Sequence, residues 1–155
     1  MKFLILLRHG IAEDKSPGMT DADRALTAEG RHKMKDIARA LAEIFPDAEV
    51  IDSSPLVRAL QTAEAVAAAY RHLRVEQSDA LKPAGTLPEV RALISGIDRE
   101  FAILTGHEPN MTEIMMDLTG VRGPLSLKKG GFYGVRMEGT PTLEWMVPPR
   151  IGRAI

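Results

Sequence analysis

The chain has 155 residues, with twenty Lys and Arg against twenty-one Asp and Glu and a formal net charge of −1. That length suits one domain with a real core, expected over residues 1–155, and the balanced charge gives no global basis for a nucleic-acid partner. It has no cysteine, which excludes disulfides and thiolate metal sites, and no apolar run long enough to span a membrane, so a cytoplasmic protein with no membrane partner is expected.

Phe3 to Leu7 is an unbroken apolar run, too short for a helix, and reads as a buried strand. It ends in Arg8-His9-Gly10, a cation and an imidazole at the point where a strand of an open α/β sheet would meet a ligand. Ile11 to Ala25 is polar and turn-rich, a loop long enough to suggest function or a lid. Thr27 follows as a helix N-cap, and Met34, Ile37, Ala38, Leu41, Ile44 and Phe45 form an apolar stripe at helical spacing that Pro46 stops. Glu49 to Asp52 is a short strand.

Ser54 as N-cap and Pro55 at the first helical position predict a helix running to about His72, with Leu56, Leu60, Ala63, Ala67 and Tyr70 on one face. Leu73 to Gln77 is another strand, Ser78 to Thr86 a loop, and Leu87 to Ile97 holds a short helix. Glu100 to Thr105 is a buried strand followed by Gly106-His107-Glu108-Pro109. The next helix turns Met111, Ile114, Met115 and Leu118 inward and closes at Gly120. Phe132 to Met137 and Thr142 to Val147 read as a hairpin around Gly139-Thr140-Pro141. Strands alternating with helices predict an α/β three-layer sandwich: a mostly parallel sheet with helices on both faces and a C-terminal antiparallel hairpin.

Three strand-to-helix junctions carry unusual chemistry. They are Arg8-His9-Gly10, Ser53-Ser54-Pro55 with Arg58, and Gly106-His107-Glu108. If the strands are parallel, all three lie on one edge of the sheet, and two Arg and two His converge there. Arg offers planar, bidentate donors that suit phosphate oxygens, so the junctions predict a phosphate pocket. Arg58 sits in a first helical turn, where a cation is unfavourable unless an anion compensates it. Blander readings stand beside this one. Ser54 reads as a cap only, Glu13 and Asp14 as solvated loop acids, and His32 and His72 as solvated helix residues. A metal site from His9, His107 and Glu13 is the competing arrangement. The chain shows no helix-borne zinc spacing, P-loop or dinucleotide fingerprint.

Arg8-His9-Gly10, Ser54-Pro55-Leu56-Val57-Arg58-Ala59 with Gln61-Thr62, and Gly106-His107 resemble the histidine phosphatase (phosphoglycerate mutase-like) superfamily. The small size, Glu13-Asp14, Leu26-Thr27 with Gly30, and Glu108-Pro109 look most like its short phosphohistidine phosphatase branch. The resemblance implies that His9 is the nucleophile that becomes phosphorylated. It implies that Arg8 and Arg58 hold the phosphoryl oxygens and that His107 is the second histidine, donating to the phosphoryl group. It implies a metal-independent phosphatase with no cofactor, most suited to dephosphorylating a phosphohistidine-bearing protein. A small-molecule or sugar phosphomonoesterase and a non-catalytic phosphate-binding module are the alternatives. One departure from larger members matters: Leu81-Lys82-Pro83-Ala84-Gly85 offers no carboxylate where they place a general acid. Glu89 reads as a helix-start acid, leaving Glu13 and Glu108 as nearby candidates.

Overall fold

The computed structural model describes residues 1–155. Six strands form one sheet: β1 (Phe3–Arg8), β2 (Val50–Ser53), β3 (Val75–Gln77), β4 (Phe101–Gly106), β5 (Phe132–Arg136) and β6 (Thr142–Val147). Their order is β3-β2-β4-β1-β5-β6. The first four are mutually parallel, and β5 and β6 close the sheet antiparallel. The helices are α1 (Ala28–Ile44), α2 (Val57–Tyr70), α3 (Leu87–Gly96), α4 (Asn110–Thr119) and a short α5 (Pro149–Gly152). None is long and apolar enough to cross a membrane.

Side chains alternate across a strand, so each strand feeds both faces. Ile5, Leu7, Ile51 and Ile103 pack under α1 and α2 against Met34, Ile37, Leu41, Ala63 and Val66. Leu4, Leu6, Ala102 and Leu104 pack under α3 and α4 against Val90, Met111, Ile114 and Met115. The expected three layers follow directly, because strands covered on both faces read as continuous apolar runs.

Register fixes what the loops must do. Arg8 pairs with Gly106, and Ser53 pairs with Thr105. The ladder continues one residue further, with His9 N–H donating to the Gly106 carbonyl (3.0 Å) and Ser54 N–H to that of Thr105 (2.9 Å). The three chemically loaded junctions are therefore level on one edge.

Three expectations change. The second helix does not start at Ser54-Pro55: α2 begins at Val57 with Leu56 in the capping position and no side-chain cap. The Ser54 hydroxyl accepts from Leu56 N–H at 3.2 Å and is drawn to His107 instead. That helix ends at Tyr70, where Arg71 turns left-handed (φ 69°), and its inward face is Ala59, Thr62, Ala63, Val66 and Tyr70, with Leu60 and Ala67 half-buried. Helix α5 is an addition that the sequence pattern does not announce. By contrast, Thr27 does cap α1, accepting from Gly30 N–H at 2.9 Å, and Gly120 closes α4 at φ 76°.

Candidate active site

His9 stands at the end of β1, 5% exposed. Its Nδ1–H donates to the Gly10 carbonyl at 2.7 Å. That bond fixes the tautomer and leaves the lone pair on Nε2, which has no protein partner. Burial above all, with His107, Arg58 and Arg8 beside it and against the Gly10 bond, pushes the imidazole pKa down to about 3. A neutral ring with a free nitrogen is thus presented among cations.

His107 follows β4 and its ring lies 5.3 Å from that of His9, tilted by 57°. Its Nε2 meets the Ser54 hydroxyl at 2.8 Å, while its Nδ1 is buried without a partner. Burial and then Arg58 lower its pKa to about 4, so it is neutral near pH 7, not the cation that phosphoryl stabilisation calls for. A bound phosphoryl dianion supplies the opposite charge that raises it.

Arg58 sits in the first turn of α2 and is 5% exposed. Beside it stands Asp21, whose carboxylate lies 3.1 Å from Nη2 and whose carbonyl accepts from Nη1 at 2.8 Å. Arg8 donates from Nη1 to the Leu127 carbonyl at 2.6 Å. The Nε atoms of both arginines are buried without partners. Buried donors are rarely left so, and with His107 Nδ1 they make three unpaired nitrogens around one imidazole.

The surroundings explain other motif residues. Thr62 accepts from Gly10 N–H at 3.0 Å and donates to the Arg58 carbonyl at 2.8 Å, tying the turn after His9 to α2. Gln61 accepts from Leu26 N–H at 2.8 Å, holding the far end of the 11–25 loop. Gly30 is required by close approach: a Cβ there would stand 2.1 Å from the Ile11 carbonyl oxygen. The loop is therefore clamped at both ends, and its 3-10 turn Asp21–Asp23 reaches over Arg58.

The candidate acids have other duties. Glu89 closes a capping box with Thr86. Glu13 is exposed. Glu108 accepts from Thr112 N–H (2.8 Å), Thr112 hydroxyl (2.6 Å) and Leu127 N–H (2.9 Å), so it positions the loop that holds Arg8. No three His, Cys, Asp or Glu side chains come together as a metal-holding group, so His9, His107 and Glu13 do not form one. Asp21 and Ser54 are the residues the sequence pattern did not assign to the site, and Glu108, a candidate acid there, braces Leu127 instead. Only the need of Arg58, in a first helical turn, for an anion pointed toward a partner such as Asp21.

The model of the histidine phosphatase superfamily (branch 1) matches residues 4–84. An uncharacterized protein of Picosynechococcus sp. is 36% identical over 143 residues, covering 86% of this chain and 84% of its own. Among solved structures, SixA from Agrobacterium tumefaciens superposes with a TM-score of 0.85 at 23% identity, covering 96% of this chain and 98% of that one. The protein histidine phosphatase SixA complexed with tungstate gives a TM-score of 0.82 at 23% identity, covering 96% and 97%. With the matched segment carrying Arg8, His9 and Arg58, the chain belongs to the histidine phosphatase superfamily (branch 1) and has the short, SixA-like architecture.

Proposed function

We propose that the chain is a phosphatase that works through phosphorylated His9, without metal, and that its substrate is phosphohistidine on a protein. Residues 1–155 act as one domain in this reading. The observation that carries it is the state of His9: a neutral imidazole with Nδ1–H tied to Gly10 and Nε2 free, ringed by Arg8, Arg58 and His107.

In the first displacement, His9 Nε2 forms a bond to phosphorus as the substrate's phosphorus–nitrogen bond breaks. The ring gains positive character, which the Gly10 carbonyl at Nδ1–H stabilises. Arg8 and Arg58 hold the phosphoryl oxygens, supplying the positioning and charge on which phosphoryl transfer depends. His107 donates once the dianion has raised its pKa. Water then removes the phosphoryl group as inorganic phosphate, its proton passes to solvent, and His9 regains its lone pair. Splitting hydrolysis this way replaces one hard step with two easier ones.

The choice of substrate rests on the acids. An alkoxide needs a proton as it leaves, help typically worth about 10²–10⁴-fold. Glu89 and Glu108 are occupied elsewhere, and Asp21 has its pKa lowered by hydrogen bonding to Arg24, so it stays ionised and is a poor donor. A phosphohistidine protonated on its free nitrogen leaves as neutral imidazole and needs no such donor. The name of the SixA structure, a protein histidine phosphatase, agrees with this preference.

The test is to trap the enzyme with labelled phosphohistidine protein and map the label. Acid-labile, alkali-stable phosphate on His9, lost in His9→Ala together with turnover, is the expected result. Turnover that survives this substitution rejects the mechanism. A higher kcat/KM on a sugar phosphate, still dependent on His9, keeps the mechanism and rejects the substrate.

A further inference from the structure

A groove of about 510 Å³ runs beside the site, open to solvent, and reaches it through Arg8 and Gly10. Six cations line it, Arg8, Lys33, Lys128, Lys129, Arg150 and Arg153, with no carboxylate in the lining. They come from separate elements: the end of β1, helix α1, the loop before β5, and the α5 segment. Lys33 is paired with Glu29 at 2.7 Å, and Arg153 faces Asp36 at 3.8 Å. Lys128, Lys129 and Arg150 are exposed and make no ion pair within the chain.

We infer that this groove docks an acidic segment of the protein that presents the phosphohistidine. The inference rests on the function proposed above and adds the chemistry of the partner. A chain of formal charge −1 has gathered six of its twenty Lys and Arg in one groove. Like charges so placed repel unless an anion joins them, and a single-sign groove steers anionic partners toward it. Arg8 belongs to both places, so a phosphoryl group at His9 and carboxylates in the groove are reached by one continuous ligand. The groove is an open trough, not an enclosed cavity, which suits a segment carried on a larger body over a small ligand that needs burial.

The experiment uses two peptides of about twelve residues, each with one phosphohistidine, flanked in one by four Glu and in the other by four Gln. The enzymes compared are the full chain and the triple variant Lys128→Gln, Lys129→Gln, Arg150→Gln, all at exposed positions outside the catalytic group. Expected is a kcat/KM for the Glu peptide about tenfold or more above that for the Gln peptide. This preference should shrink with added salt and vanish in the triple variant, with free phosphohistidine turned over equally by both enzymes. Equal rates on the two peptides overturn the inference, as does an equal loss on free phosphohistidine in the variant. Binding of fluorescein-labelled, unphosphorylated peptides separates the two layers. If no phosphohistidine substrate is turned over but the Glu peptide still binds through the three cations, the function reading fails and the acidic docking surface stands. If inorganic tripolyphosphate binds the groove and outcompetes the Glu peptide, the occupant is a small polyanion and the inference is overturned.

Discussion

In the proposed mechanism the two arginines do the same chemical work, but they are held in different ways. On the Arg8 side the support is interior. Glu108 takes three hydrogen bonds and fixes Leu127, which is 3% exposed and whose carbonyl holds Arg8. On the Arg58 side the support is a surface carboxylate, Asp21, with a side chain 53% exposed and shared with Arg24. On β2, Asp52 is buried with Oδ1 unpartnered. One side is braced from the interior before substrate arrives. The other keeps an exchangeable anion on its cation. A site that binds and releases a dianion, as proposed here, gains from having one of each, since rigid donors preorganise charge while an exchangeable partner lets the product leave.

Equality of chemical work is tested first, with the largest effect. Arg8→Ala and Arg58→Ala should each lose about 10²–10³ in kcat, as for removal of one donor to developing charge. Single-turnover rates on a phosphohistidine protein measure this. A loss under about tenfold at either position removes that side from the phosphoryl site. Inequality of support comes next. Glu108→Ala strips acceptors from Thr112 and Leu127, both buried, and should cost about 2–3 kcal/mol in urea unfolding, the scale of buried donors left unpaired. It should also lower kcat/KM about tenfold through Arg8. Unchanged stability breaks the contrast between the two sides.

Asp52 supplies a pH signature. Burial and then Glu76 raise its pKa to about 6, so the folded chain keeps a proton that the unfolded chain releases near the ordinary carboxylate range. Its cost to stability therefore grows as pH rises to about 6 and is full at neutrality. His9 and His107 run the other way. With folded pKa values of about 3 and about 4, they stay neutral where the unfolded imidazoles bind protons, so stability falls as pH drops below about 6.5. Between about pH 4 and 6 the net difference is one proton, a slope of about 1.4 kcal/mol per pH unit. Asp52→Asn should add about 1–2 kcal/mol at neutrality, less than full relief because the amide also wants partners, and should double the acid slope. Unfolding midpoints at about pH 5 and 7 decide it, and an unchanged slope refutes the assignment.

What the sequence made legible tracks how local the cause is. The strand of Phe3 to Leu7, the Thr27 cap and the Gly120 stop are each set by a few neighbouring residues, and each stands where the pattern puts it. The three junctions were readable because parallel topology alone levels them. Ser54 was misread because Ser-Pro is a local helix signal, and a contact 53 positions away, with His107, outbid it. Asp21 was opaque for the same reason, since a carboxylate in a polar loop looks solvated until the fold brings Arg58 to it. Glu108 was legible as a candidate acid but not as the residue that holds Leu127. The neutral state of His107 also depends on burial, which the order of residues does not disclose.

The smallest effect concerns Asp21 itself. Its carboxylate lies on the cation that a phosphoryl oxygen also uses in the proposed mechanism, and both negative charges cannot be close without cost. Asp21→Asn keeps the backbone carbonyl that holds Arg58 Nη1 at 2.8 Å, so the guanidinium stays in place. What changes is the charge: Arg58 loses its counter-ion, and His107 loses the one nearby carboxylate that raises its pKa. The first effect favours anion binding, and the second slightly disfavours a protonated His107. The contact is direct for Arg58 and only through space for His107, so the first should win. Inorganic phosphate should inhibit the variant about two- to fivefold more tightly, at the modest scale of a charge pair with its carboxylate in water. Thermal stability should hold, because the carboxylate is largely in water. Product release should slow correspondingly, lowering kcat while KM falls with it. Weaker phosphate inhibition in the variant would make Asp21 a necessary brace for Arg58, and the two sides of the site would then be built alike.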